Sequence, residues 1–280
     1  MQRIGAVVGE DIRFIDLPAQ DEEVLPGVRW GDAGLLLTPA WIAKHAHMRR
    51  MLGEFEGLFE PRRRPLVEDV VFCLLGGFGI KAELATAAYH ALRLAGLFTS
   101  HLTASGILAE LKRPLDVDGR QVRYRFPNGR ARYIDGAMRY LERTEPPSQA
   151  IALRNYLLGI PGVGQKTASY IVRNHLGADD VAILDIHVVR AGQIACMFPE
   201  SVRLPRDYGK LEDIFLAFAR AADVSAACLD LTIWTIMRGL SPSVKAAAER
   251  LNKTHLLAGG GPPIYVDRLL WAQGDLGRPA

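Results

Sequence analysis

The feature that most constrains this chain is a six-residue connection, Gly159-Ile160-Pro161-Gly162-Val163-Gly164, set between two stretches of helical patterning. Three glycines and a proline in six residues force a tight, kinked turn with φ > 0 positions that few other residues tolerate. Leu153 to Leu158 closes one helix, and an amphipathic run opens at Gln165. The amides that start the second helix point out of the turn and favour an anion. A plain corner between two helices has the same outline.

The rest of the chain reads as mostly helical around this turn. Apolar periodicity predicts helices near 39–52, 65–76, 81–96, 103–112, 129–143, 148–158, 164–176, 186–197, 205–221, 224–238 and 241–257. Thr38-Pro39 is a helix start, with a hydroxyl cap and a proline at the first position. Residues 1–36 alternate weakly and predict a hairpin or small sheet, and Asp118-Gly119 predicts a short hairpin within 115–126. Gly259-Gly260-Gly261-Pro262-Pro263 breaks the chain before a last helix around 265–273. The expected fold class is mainly α with a small N-terminal β element.

Composition narrows the class. A chain of 280 residues, 49% hydrophobic and 23% charged, buries roughly three quarters of its unfolded surface and needs no staple. The longest uncharged apolar stretch, Val70 to Ile80, falls short of the roughly 18–20 residues of a membrane span. Glu10 and Asp11 interrupt the start before an apolar leader could form, so no signal peptide is expected. Cys73, Cys196 and Cys228 are three, widely spaced and without a CxxC, which excludes a disulfide framework and a four-cysteine iron–sulfur cluster. A reduced, intracellular, soluble protein is expected.

Net charge is only +3, but it is unevenly spread. Arg62-Arg63-Arg64 form one cluster, and Lys112 to Arg143 holds nine Lys or Arg against four acids, interleaved with Tyr124, Phe126, Tyr133 and Tyr140. Such a stretch either tracks a polyanion or is an ordinary solvated face.

Two helices joined by a Gly-rich turn of this spelling form a helix–hairpin–helix, which grips a phosphate of the DNA backbone without reading sequence. The residues after the turn separate a passive grip from an enzyme. Lys166 stands in the first turn of the second helix, where the positive end of the dipole disfavours a cation. Asp185 follows apolar Val181-Ala182-Ile183-Leu184 and precedes His187-Val188-Val189-Arg190, the position of an N-cap. The turn Gly177-Ala178-Asp179-Asp180 lets the chain return, so a lysine and a carboxylate can form a nucleophile and charge-stabiliser pair. The lysine is expected to be buried. Alternatively, Asp185 is a cap only and Lys166 a surface phosphate contact.

The stretch LRNYLLGIPGVGQKTASYIVRNHLGADDVAILDIHVVR resembles the active-site region of the helix–hairpin–helix DNA glycosylases, and within them the 8-oxoguanine DNA glycosylase/AP lyases. In that group a lysine follows the hairpin, an aspartate lies nineteen residues later and a histidine two beyond, as do Lys166, Asp185 and His187. Lys166 to Ser169, Arg173-Asn174, Ala182 to Asp185, Tyr124 to Ile134 and Leu229 to Trp234 are similar to the short microbial type-2 enzymes. The likeness covers roughly 65–240 and is strong at 155–190. Those enzymes end soon after the position of Trp234, whereas this chain continues for about forty residues and adds some sixty at the front.

The resemblance implies a glycosylase fold of two helical lobes with a cleft between them. It divides the chain into 1–60 (β element and first helix), 61–145 with 241–280 (one lobe) and 146–240 (the hairpin lobe). It implies excision of oxidised guanine with lyase activity, Lys166 as nucleophile and Asp185 as stabiliser. Gly162, Val163, Gly164 and His187 are implied at the DNA backbone, although His187 equally suits a helix start. Tyr170 and Trp234 are implied at the extruded base, with a core role for Trp234 left open. The carbonyls of Leu158, Ile160 and Val163 are implied to hold a monovalent cation, Na+ or K+, with no other cofactor. The implied partner is double-stranded DNA carrying a damaged base, not a membrane, and no protein partner is indicated. The implied location is the bacterial or archaeal cytoplasm, at the nucleoid. Two rival functions stand: an accessory protein of a bacterial defence operon acting on another modified purine or nucleotide, and a non-catalytic DNA-binding scaffold.

Overall fold

A computed structural model describes residues 1–61, 64–77, 79–100 and 102–257. Arg62 and Arg63 of the arginine cluster, and the expected break at 259–263 and helix at 265–273, lie outside the described residues. The chain opens with strands β1 (Gln2–Val8), β2 (Asp11–Leu17), β3 (Glu23–Leu25) and β4 (Val28–Arg29). Helices α1 (Pro39–Met51), α2 (Leu66–Leu75), α3 (Ala82–Leu94) and α4 (Ala104–Lys112) come next. A small hairpin, β5 (Leu115–Val117) and β6 (Arg120–Val122), precedes α5 (Pro127–Arg143), α6 (Ala150–Leu157) and α7 (Gln165–Leu176). The chain then runs through α8 (Ile186–Ile194), α9 (Tyr208–Ala221), α10 (Ala226–Gly239) and α11 (Pro242–Leu256). The mainly α class with a small β element is as the sequence predicts. Among the described residues, no helix is long and apolar enough to cross a membrane.

Two compact units form, Met1–Phe59 with Asp179–Ala280, and Glu60–Ala178. In the first, β1 and β2 pair antiparallel from Gln2↔Leu17 to Val8↔Asp11, closed by Gly9 at φ 63°. The Gln2 side chain ties this hairpin to the approach to α1, donating to the carbonyls of Pro18 and Gly31 and accepting from Ala33 N–H at 2.8 Å. Thr38 accepts from Trp41 N–H at 3.0 Å with Pro39 beginning the helix, so hydroxyl and fixed φ both favour a start there. Trp30, Leu37, Ile42, Phe215, Phe218, Leu229 and Ile233 form the centre of this unit's core.

In the second unit, α2 and α4 pack on α5, α3 packs on α2 and α4, and α7 packs on α2 and α6. Asp118 and Gly119, at φ 52° and 76°, turn the β5–β6 hairpin, the paired left-handed geometry that Asp-Gly favours. The units group the elements differently from the expected lobes. Helices α6 and α7 belong with 60–145, because their hairpin glycines are shaped to α5. Helix α11 belongs with residues 1–59 and α8–α10: it packs on α8, where Arg190 Nη2 meets Glu249 Oε2 at 2.6 Å.

Candidate functional site

The hairpin turn is built as a close approach between backbone and rings. Leu158, Gly159 and Ile160 donate back to the carbonyls of Arg154, Tyr156 and Leu157, tightening the end of α6. Gly162 takes φ +85°, and Val163 N–H closes the loop onto the Ile160 carbonyl at 3.1 Å. Three positions on one face of α5 receive this turn. A Cβ at Gly162 would lie 2.7 Å from the Tyr133 ring, and Gly136 leaves room for Pro161, whose Cγ would be 3.4 Å from a Cβ there. Tyr140 covers Gly159 and donates its hydroxyl to the Tyr156 carbonyl at 3.1 Å. The glycines are therefore required twice, by conformation at Gly162 and by contact at Gly159 and Gly162.

Beyond the turn, Gly164 is the N-cap of α7 in extended conformation and offers no side-chain hydrogen bond. A helix with a glycine cap leaves its first amides for another acceptor, and its positive dipole end unneutralised. Gly162 and Gly164 are exposed, whereas Ile160 and Val163 are buried beneath them. Lys166 stands in the first turn and is exposed, not buried as its expected role suggested. Tyr170, one turn later on the same face, is half-buried, with the Arg173 guanidinium 5.4 Å from its ring centre. Of the three carbonyls considered for a cation, that of Ile160 already accepts from Val163 N–H, which leaves it one lone pair.

Asp185, His187 and Trp234 belong to the other unit. Asp185 is the N-cap of α8 as its sequence setting predicts: Oδ1 accepts from His187 N–H at 2.8 Å and Val188 N–H at 2.9 Å. Its second carboxylate oxygen is not used in the cap. His187 gives its backbone N–H to that cap, and its ring is half-buried. Trp234 is not a core residue; it is 37% exposed on α10, with the Arg238 guanidinium 4.3 Å from its ring centre.

The basic, aromatic stretch 112–143 divides by role. Tyr124 is buried and donates to the Leu75 carbonyl, Arg130 donates to the Gly76 carbonyl at 2.8 Å, and Arg113 and Arg139 pair with Glu110 and Asp135. Sequence reasoning missed that Tyr133, Gly136 and Tyr140 are the mould for the hairpin. Their spacing of three and seven residues on one helical face was the available signal.

A family model described as 8-oxoguanine DNA glycosylase matches residues 48–224. The 8-oxoguanine DNA glycosylase/AP lyase of Metallosphaera sedula is 36% identical over 122 residues, 41% of this chain and 59% of that relative's length. That of Methanocaldococcus jannaschii is 26% identical over 206 residues, 68% of this chain and 88% of the relative. The crystal structure of the 8-oxoguanine DNA glycosylase of Thermotoga maritima covers 72% of this chain and 98% of its own, with TM-score 0.56 at 24% identity, a likeness of fold.

Proposed function

The chain belongs to the 8-oxoguanine DNA glycosylase family, and on that premise we propose that it excises oxidised guanine from double-stranded DNA and then cleaves the strand by β-elimination. The observation that carries the reading is the glycine-capped start of α7, with exposed Gly164 at the N-cap and Lys166 in the first turn.

A damaged base inside a duplex is out of reach, so it is extruded before any chemistry. The amides of Gly162 and Gly164 take a backbone phosphate at the dipole end of α7; Val163, expected beside them, is buried and gives its N–H to the Ile160 carbonyl instead, and His187 makes a further phosphate contact. The carbonyls of Leu158, Ile160 and Val163, three neutral oxygens, suit a monovalent cation that stiffens the turn. Tyr170 and Trp234 flank the extruded base. The uncharged Lys166 amine attacks the sugar C1′, and the glycosidic electron pair leaves with the base, which gains a proton. Opening of the sugar ring gives a Schiff base between Nζ and C1′. Loss of a C2′ proton then expels the 3′ phosphate. Asp185 opposes the positive charge that develops on the sugar and assists the proton transfers.

Borohydride trapping tests this reading, because borohydride reduces a lysine–sugar Schiff base to a stable adduct. On a duplex with one 8-oxoguanine opposite cytosine, a covalent band is expected with the parent chain and none with Lys166→Gln. A band on an abasic site alone would keep the lysine chemistry and reject the substrate. No band on either would reject the enzyme reading in favour of a DNA-binding scaffold.

A further inference from the structure

We propose that Tyr133 is a DNA-binding residue, its hydroxyl donating to the backbone phosphate that the hairpin amides hold; this rests on the reading of the hairpin as a phosphate grip.

Tyr133 and Tyr140 stand seven residues apart on the hairpin-facing side of α5, and each ring covers a glycine of the turn. Their hydroxyls differ. Tyr140 gives its hydroxyl to the Tyr156 carbonyl, so its polar end is used within the protein. Tyr133 is 38% exposed, and among the described residues its hydroxyl has no hydrogen-bond partner. Phenylalanine would cover Gly162 equally well, so packing accounts for the ring and leaves the hydroxyl unexplained.

The ring lies on Gly162, an exposed residue of the surface that presents amides to the phosphate. A phosphate has acceptor sites beyond those two or three amides satisfy, and a hydroxyl donor beside them adds a charge-assisted bond. The contact is to the backbone, so it raises affinity for any sequence and fixes register without reading bases. Tyr133 is thus seated by the protein through its ring, next to the turn, while its hydroxyl is left for a ligand.

The test uses the full chain and a duplex carrying a tetrahydrofuran abasic analogue, which cannot form a Schiff base. Binding is read by fluorescence anisotropy for the parent, Tyr133→Phe and Gly164→Asp. Tyr133→Phe is expected to weaken binding about tenfold, the scale of a hydrogen bond to a charged group. The same factor is expected on undamaged duplex, with the urea midpoint unchanged. Gly164→Asp, which puts a carboxylate among the amides, is expected to weaken binding more. If Tyr133→Phe binds within twofold of the parent while Gly164→Asp loses binding, Tyr133 is a seat for the turn and the proposal fails alone. If both bind as the parent does, the hairpin is not the grip, and the proposal falls with the reading beneath it.

Discussion

Asp69 Oδ2 lies 2.9 Å from His175 Nδ1, which joins the first turn of α2 to the last turn of α7. The carboxylate is 1% exposed and also meets Arg64 Nε through Oδ1. It thereby anchors the far end of the helix whose near end carries Lys166. A buried carboxylate held by a guanidinium and an imidazole is costly to break from one side, because each partner keeps its desolvation penalty and loses its return. Asp69→Ala is expected to lower folding stability by about 3–5 kcal/mol, read as a shift in urea midpoint at constant m-value. A loss below about 1 kcal/mol would mean that water replaces the carboxylate and that the anchor is not structural.

Gly162 faces two separate objections to a side chain, and they can be told apart. Backbone at φ +85° costs an alanine about 1–2 kcal/mol, and its Cβ would also meet the Tyr133 ring at 2.7 Å. Gly162→Ala is expected to destabilise the chain by more than the backbone cost alone. Adding Tyr133→Ala should recover the steric part and leave the backbone part. Strict additivity in this double-mutant cycle would show that ring and turn are not in contact.

The observed cap and the proposed catalytic duty of Asp185 are separable by chemistry. Serine caps a helix about as well as aspartate but carries no charge, whereas alanine does neither. Asp185→Ser should stay within about 0.5 kcal/mol of the parent in stability, and Asp185→Ala should lose about 1 kcal/mol. Both should lose at least tenfold in base excision if the carboxylate stabilises the sugar cation. Full excision by Asp185→Ser would reduce Asp185 to a cap.

Acid should weaken the fold through His45. Its ring stacks on Trp41 with centres 3.7 Å apart and Nδ1 donating to the Trp41 carbonyl. Burial foremost, with the charge of Lys44 adding, pushes its pKa from 6.5 down to about 4, against the pull of that carbonyl. The unfolded ring therefore takes a proton at a pH where the folded ring stays neutral. Stability is whole above pH 6.5 and is lost as pH falls toward 4, by at most about 1.4 kcal/mol per pH unit. His47, also lowered by burial, adds to the same slope. His45→Phe should flatten the dependence of urea midpoint on pH between 7.5 and 5; an unchanged slope would place the acid sensitivity elsewhere.

Most element boundaries were readable because they rest on local chemistry. Thr38-Pro39, Ser241-Pro242 and Asp185 act within three residues of themselves, and the helices begin where those residues stand. Of the edges that moved, two did so for reasons that are also local. Helix α5 starts at Pro127, where its fixed φ suits a first helical turn. Helix α8 stops at Ile194, before Cys196 turns to φ 56°. Partnership is the information that local pattern lacked. The aromatics of 112–143 looked alike in sequence, yet Tyr124 reaches a carbonyl on α2 while Tyr133 and Tyr140 meet a turn about twenty to thirty residues later. The grouping of α7 with α2 likewise depends on contacts a hundred residues apart in the chain. For the site, the hairpin, Lys166 in a first turn and the Asp185 cap were legible. The exposure of Lys166 and Trp234 was not, because exposure depends on what covers a face.

The glycine at the head of α7 sets stability and affinity in opposition. Serine or aspartate at 164 would close the first turn upon itself, a gain of a few tenths of a kcal/mol for the free chain. The same change would occupy or repel the site that the proposed reading reserves for phosphate. A selection that rewarded heat resistance alone would therefore drift toward variants that survive better and repair worse. Anyone breeding a hardier form of this protein should hold position 164 fixed and seek the gain on faces that never meet a nucleic acid.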